Sequence, residues 1–320
     1  MTIIRSINDI PSGLPAPVVT LGNFDGVHRG HREIFRRVTD EARSIGGVSV
    51  VVTFRPHPLK VIPNLRNVVL ITTYEERARL IERCGIDLLI EIPFDQEVAQ
   101  LSPRRFIHDI LLGKIGVKSL FIGYDYAFGH NREGRVPLLV AAGKEHGFTV
   151  RVLEPINNGS EIFSSSAIRR LVQIGEVSPV VELLGRHFSL CGRVVRGHGR
   201  GASLGFPTAN ILTDKELIPP DGVYAVKVSL DGVIRDAACN IGRNPTYGNR
   251  ESSIEVHIFD LDQDLYDKTL EIFFIERIRG ERKFTGPETL REAIGYDVRR
   301  CREILSSTPL ITFDERGTTC

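Results

Sequence analysis

Cysteine is scarce and unpatterned: five in 320 residues, at positions 84, 191, 239, 301 and 320. The number is odd and no two are spaced as CxxC. That excludes a disulfide framework and offers no zinc-binding pattern, so a reducing cytoplasm is the expected setting. Net charge is almost missing, with 41 Lys+Arg against 40 Asp+Glu. No basic run is long enough to act as an arm, and nucleic acid is not an expected partner. No apolar run approaches a membrane span, and the opening MTIIRSINDIPSG lacks the apolar core of a signal peptide, so no membrane partner is expected either. Internal repeats and low-complexity segments are absent. So is a Walker loop, because GK[ST] occurs nowhere. What remains is 42% hydrophobic, ordinary for a globular chain, and the length suggests about two domains. The expected state is a monomer or a weak homo-oligomer.

The most informative stretch is TLGNFDGVHRGH, residues 20 to 31. A short apolar strand, Pro17 to Leu21, runs into Gly22, Phe24, Asp25 and Gly26. From Gly30 the pattern is helical, with Ile34, Phe35 and Val38 on one face and Arg32, Arg36 and Arg37 on the other. A strand, a glycine-rich turn and a helix N-terminus leave unpaired N–H groups and the positive end of a helix dipole facing a crevice, which suits phosphate. His28 and His31 stand three apart, so they can project to one side and donate to phosphate oxygens.

The first half alternates strand and helix patterns. Val48 to Phe54, Asp87 to Pro93, Lys118 to Gly123 and Phe148 to Leu153 read as buried strands. Thr73 to Cys84, Ser102 to Ile115 and Gly134 to His146 read as helices. This predicts a doubly wound parallel sheet, with ligands beyond the C-terminal strand ends. Polar clusters fall there: Arg55 and His57 in RPHP, and Tyr124, Asp125, Tyr126 and Phe128 in GYDYAFG. RPHP can also be only a stiff turn, and the aromatics only loop core. Ser164, Ser165, Ser166 and Arg169 open a further helix, where they can cap it or hold phosphate.

After Gly185 the pattern becomes alternating. His187 to Val195, Val223 to Leu230, Val233 to Ile241, Ser253 to Phe259 and Thr269 to Ile278 read as strands, with a hairpin signal at Asp231-Gly232. One late helix, Pro287 to Leu305, follows. This predicts a small antiparallel barrel closed by a C-terminal helix, over 186–320, behind an α/β domain over 1–185. The tail from Thr308 reads as loosely held. GHGRGASLGFPTANI supplies Gly197, Gly199, Gly201 and Gly205, whose backbone can approach a phosphate closely, then Thr208 and Asn210, hard oxygen ligands suited to magnesium.

GNFDGVHRGH resembles the HxGH signature of nucleotidyltransferases. SSSAIR resembles their second motif, SSTxIR, with Ser166 where threonine is usual. GFPTAN resembles the PTAN motif of riboflavin kinases, NIGRNPTY their NIGxxPTF, IEVH the strand bearing their catalytic glutamate, and IRGERKF their closing loop beside the flavin. LYDK departs from the usual LYGK at Asp267. Over nearly the whole chain the resemblance is to the bacterial bifunctional riboflavin kinase/FAD synthetase family. It implies a Rossmann-like nucleotidyltransferase domain followed by a β-barrel kinase domain, with ATP, riboflavin and FMN as substrates and Mg2+ as cofactor. It further implies Glu255 as base, His28 and His31 on the ATP phosphates, Thr208 and Asn210 on the metal, and Arg279 near the flavin. Two alternatives remain at this point: a monofunctional enzyme whose other domain only binds flavin, and a flavin- or nucleotide-sensing protein without turnover.

Overall fold

The computed structural model describes residues 1–62, 68–157, 162–197, 201, 204–243 and 252–313. Packing divides them into two units, Met1–Ser164 and Ser165–Phe313.

Unit 1 holds β1 (Thr2–Ile4), β2 (Val18–Leu21), β3 (Ser49–Arg55), β4 (Leu88–Pro93) and β5 (Ser119–Gly123). A small hairpin follows, β6 (Ala127–Phe128) with β7 (Gly134–Arg135), then β8 (Thr149–Leu153). The main sheet is parallel, in the order β1-β4-β3-β2-β5-β8. The central strands β2, β3 and β5 read as near-continuous apolar runs because they are buried along most of their length, whereas the edge strand β8, expected to be buried, is largely exposed. The chain winds outward from β2 through β3 to β4, then returns to place β5 beside β2. A doubly wound sheet opens its crevice at that reversal, beyond the carboxyl ends of β2 and β5. Helices α1 (Arg29–Ser44), α2 (Tyr74–Arg83), α3 (Phe106–Ile115) and α4 (Val136–His146) make the connections. Thr73 starts α2 with a capping box: its hydroxyl accepts from Glu76 N–H, and the Glu76 carboxylate accepts from Thr73 N–H. The sequence pattern missed β1, which is too short to show a period. It also began α4 two residues early, at the glycine that belongs to β7.

Unit 2 opens with α5 (Ser165–Ile174) and α6 (Val180–Leu184). Six strands follow: β9 (Ser189–Val195), β10 (Ala209–Leu212), β11 (Gly222–Leu230), β12 (Val233–Arg243), β13 (Ser252–Ile258) and β14 (Thr269–Gly280). They close into an antiparallel barrel, β10-β13-β12-β11-β14-β9, with β9 pairing back to β10. Asp231 and Gly232 both take positive φ, +51° and +81°, between the paired Leu230 and Val233. That is the type I′ turn a two-residue hairpin favours. The C-terminal helix α7 (Pro287–Ser307) buries Cys301, Ile304 and Leu305 against Ala225, Phe259 and Ile275 of the barrel.

Residues 308–313 are tied down, contrary to the sequence expectation. His187 N–H donates to the Ile311 carbonyl at 2.9 Å, Ile311 N–H donates to His187 Nδ1 at 3.0 Å, and Phe313 is buried. Burial holds the His187 pKa below its ordinary value; the Ile311 carbonyl opposes this and the Lys227 charge adds to it. A depressed histidine pKa stabilises the fold fully above about pH 6.5, and that contribution is lost as pH falls toward the folded pKa. The melting temperature of unit 2 is therefore expected to drop between pH 7.5 and pH 5. His187→Asn, which keeps an acceptor near the Nδ1 position, should flatten that drop. Equal slopes in differential scanning calorimetry would refute the assignment.

Candidate functional site

In unit 1 the turn after β2 is built by close packing. A Cβ on Gly22 would lie 2.9 Å from the Phe24 ring, so only glycine lets that ring fold back over the strand end. Phe24 is buried against Phe35 and the edge of His31. The Asp25 carboxylate, 3% exposed, accepts from Ile71 N–H, Thr72 N–H and the Thr72 hydroxyl at 3.0 to 3.1 Å. Gly26 N–H donates to the same hydroxyl. Asp25 therefore anchors the turn to the segment leading into α2. His28 is the N-cap of α1: its Nδ1 accepts from His31 N–H at 3.4 Å. The two imidazoles stack with centroids 3.5 Å apart, and a Cβ on Gly30 would press on the His28 ring at 3.1 Å. The one-sided projection expected of the histidine pair is thus realised. Phe163, the residue before Ser164, lies under Arg29 and beside Gly30 at the start of α1. Ser165, Ser166 and Arg169 open α5 in unit 2.

The other strand-end clusters divide by role. His57 caps a short turn, Nδ1 accepting from Leu59 N–H at 3.1 Å, while its own N–H donates to the Tyr74 hydroxyl at 2.9 Å. Arg55 stacks on Tyr74 and pairs with Glu75 at 2.8 Å. Tyr126 and Phe128 stack on one another and join the core with Phe106, and burial raises the Tyr126 pKa. Tyr124, 50% exposed, and Asp125 face solvent. Of the three aromatics, Tyr124 is the most exposed, Tyr126 is half-buried and Phe128 is buried.

In unit 2 register does the assembling. Asn210 pairs directly with Glu255, and Glu255 pairs with Asn240 on its other side. Three polar residues thus stand abreast on β10, β13 and β12. Ile254 and Val256 are buried in the barrel, so alternation turns Glu255 to the outer face. The Thr208 hydroxyl lies 3.4 Å from a Glu255 oxygen. A Cβ on Gly197 would fall 1.9 Å from the Asn210 amide, and one on Gly201 would fall 2.4 Å from the Phe206 carbonyl and 3.2 Å from the Thr208 hydroxyl. Gly197 and Gly201 therefore lie directly against Asn210 and Thr208, where no side chain would fit. Gly205 turns the chain at φ +88°. His257 Nδ1 lies 2.8 Å from the Pro207 carbonyl and holds the PTAN segment to β13. Arg279 is clasped by Asp297 of α7 at 2.7 to 3.1 Å and lies over Phe284. Asp267 takes φ +63°, the conformation that glycine would adopt in its place, and pairs with Arg193. Gly199 and residues 244–247 of the NIGRNPTY segment lie outside the described residues. Reading from sequence missed β10 as a strand, because glycine and proline crowd its approach, and so it missed Asn210 as the direct cross-strand neighbour of Glu255.

The family model described as FAD synthetase matches residues 11–167, and the one described as riboflavin kinase matches 184–305. A bifunctional riboflavin kinase/FMN adenylyltransferase of Escherichia coli strain K12 is 35% identical over 311 residues, covering 96% of this chain and 99% of its own. The chain belongs to the bifunctional riboflavin kinase/FMN adenylyltransferase family. Its relative of that name in Bacillus subtilis is 36% identical over 88% of this chain and 90% of its own. Among solved structures, one from Streptococcus pneumoniae described as a macrolide-efflux protein superposes with a TM-score of 0.85 at 30% identity, covering 94% of this chain and 98% of that one. No helix among the described residues here is long and apolar enough to cross a membrane.

Proposed function

We propose that the two units divide the family's two reactions between them. Unit 2 phosphorylates riboflavin: the ribityl hydroxyl oxygen attacks the γ-phosphorus of ATP, the bond to the bridging oxygen breaks, and ADP leaves. Glu255 accepts the hydroxyl proton. Unit 1 adenylylates the product: an FMN phosphate oxygen attacks the α-phosphorus of a second ATP and pyrophosphate leaves, giving FAD. No side-chain nucleophile is required there. The α1 N-terminus, His28 and His31 stabilise phosphate charge, with Ser164 as a further phosphate contact. Tyr124 offers the open ring face for the flavin.

The observation that carries this reading is the meeting of Thr208, Asn210 and Glu255, with Gly197 and Gly201 packed too close against Asn210 and Thr208 to admit a side chain. The same residues fit magnesium. Among the described residues no cluster of His, Cys, Asp or Glu could cage a metal, and Mg2+ commonly takes few protein oxygens and completes its shell from water and phosphate. Thr208 and Asn210 would hold it, and when bound it screens the charge of the phosphates. Incubation with riboflavin, ATP and magnesium, followed by chromatography, should yield both FMN and FAD. FMN alone, or no product, would overturn the reading.

The kinase domain read from sequence begins at Arg186, yet α5 and α6 brace the barrel: Ser178 donates to the Ile275 carbonyl at 2.8 Å and Arg277 to the Ile174 carbonyl at 3.3 Å. A fragment starting at Ser165 is expected to make FMN at close to the full-length rate and to melt above one starting at Arg186. A soluble Ser165 fragment inert toward riboflavin would place part of the kinase site elsewhere.

A further inference from the structure

Arg77 and Glu91 belong to none of the motifs above, yet each is only 2% exposed. Burying two charges costs several kcal/mol per ion before pairing returns any of it, so such a pair calls for a reason. Glu91 interrupts the apolar strand LLIEIP of β4, and Arg77 reaches it from α2. One Glu91 oxygen lies 3.5 Å from Arg77 Nη2; the other lies 3.1 Å from Arg5 Nε and 3.7 Å from Arg55 Nη1. The two terminal nitrogens of Arg77 also reach backbone, while its buried Nε has no hydrogen-bond partner. Nη1 donates to the Asn23 carbonyl at 2.9 Å, and Nη2 reaches the Phe54 carbonyl at 3.5 Å. The guanidinium also lies over the Tyr74 ring, whose hydroxyl accepts from His57 N–H. One buried cation therefore touches the turn after β2 and the end of β3.

The turn it holds is under backbone strain. Phe24 and Val27 take φ of +49° and +40°. For a β-branched residue this is a genuine outlier, and such conformations persist only where surrounding contacts over-determine them. Here the contacts come in two sets: Asp25 is bound from Ile71 and Thr72, and the Asn23 carbonyl accepts from Arg77 and from the Thr53 hydroxyl at 3.4 Å. His28 follows directly after Val27, so its position depends on this turn.

We propose that Arg77, balanced by Glu91, is a positioning residue for adenylyl transfer: it locks the strained turn so that His28 and His31 meet the reacting phosphates. This rests on the reading of unit 1 as the adenylyltransferase. The full-length protein supplies its own control, because the kinase reaction belongs to the other unit. Arg77→Met should lower kcat for FMN adenylylation by about 10- to 100-fold, since a displacement near 1 Å at a positioned group can cost about a hundredfold. The KM for ATP should stay within about threefold and riboflavin phosphorylation within about twofold. Arg77→Lys keeps the charge opposite Glu91 but cannot fork to two carbonyls, and should fall between wild type and Arg77→Met. Thr53→Val removes the second donor to Asn23; it should cost about two- to fivefold alone and more in combination with Arg77→Lys. A merely structural role would lower the melting temperature and leave kcat per folded molecule unchanged at low temperature; that result overturns the proposal. Should Arg77→Met fail to fold, unchanged kcat in both Arg77→Lys and Thr53→Val overturns it equally. Wild type that forms no FAD would sink the reading of unit 1 and the proposal with it, whereas active wild type with unaffected variants would sink the proposal alone.

Discussion

Glu255→Gln is expected to slow riboflavin phosphorylation by about a hundred- to ten-thousand-fold, the usual worth of a general base, while FMN adenylylation proceeds near the wild-type rate. The expectation follows from what the substitution leaves alone. Glutamine keeps the shape, keeps an oxygen within reach of the Thr208 hydroxyl, and keeps its place between Asn210 and Asn240. Ile254 and Val256 still anchor the strand in the barrel. Only the proton acceptor goes. At 1.36 kcal/mol per factor of ten, that loss is about 3 to 5 kcal/mol of transition-state stabilisation. It should appear in kcat more than in the KM for ATP, because in the proposed reaction Glu255 acts on the riboflavin hydroxyl rather than on ATP. An unchanged kinase rate at saturating substrates would return Glu255 to the status of a surface residue on the outer face of the barrel.

The second large effect is expected at the histidine pair. Removing one preorganised donor from a developing anionic charge typically costs about a hundred- to a thousandfold, so loss of both should take FAD formation from supplied FMN below about a thousandth of wild type. The choice of variant matters, because His28 also caps α1. His28→Ala would remove the cap, at about 0.5 to 2 kcal/mol, along with the imidazole. His28→Asn keeps a side-chain acceptor at the N-cap, so the pair His28→Asn with His31→Ala isolates the chemistry from the helix start. Riboflavin phosphorylation should survive. Measured side by side with circular dichroism, joint loss of both activities in a folded protein would count against separate sites.

Much of this was legible in the residues alone. The runs that became β2, β3, β4, β5 and β8, the hairpin at Asp231-Gly232 and the domain order are local signals, set by periodicity and turn chemistry within a few residues. The motifs were legible for the same reason, since each is a contiguous string. Which of their members face the ligand side was decided elsewhere. Phe128 is buried in the core with Tyr126 half-buried against it, and His57 caps a short turn, through neighbours that sequence spacing does not reveal. Asp25 stands in a phosphate motif but is bound from Ile71 and Thr72, 46 and 47 positions away. The row Asn210, Glu255, Asn240 exists only through register, in which a shift of one residue would turn each side chain to the opposite face. Arg77 and Glu91 carry no motif at all. A lone glutamate in an apolar strand signals that a buried partner is needed, but only the packing of α2 across the strand ends says which cation answers it. Composition, period and spacing indicated the two fold classes and the groups suited to phosphate and magnesium, and the chemistry followed from the motif resemblance. Tertiary structure decided which side chains meet, because hydrogen-bond and charge complementarity act over a few ångströms in space and are indifferent to distance along the chain.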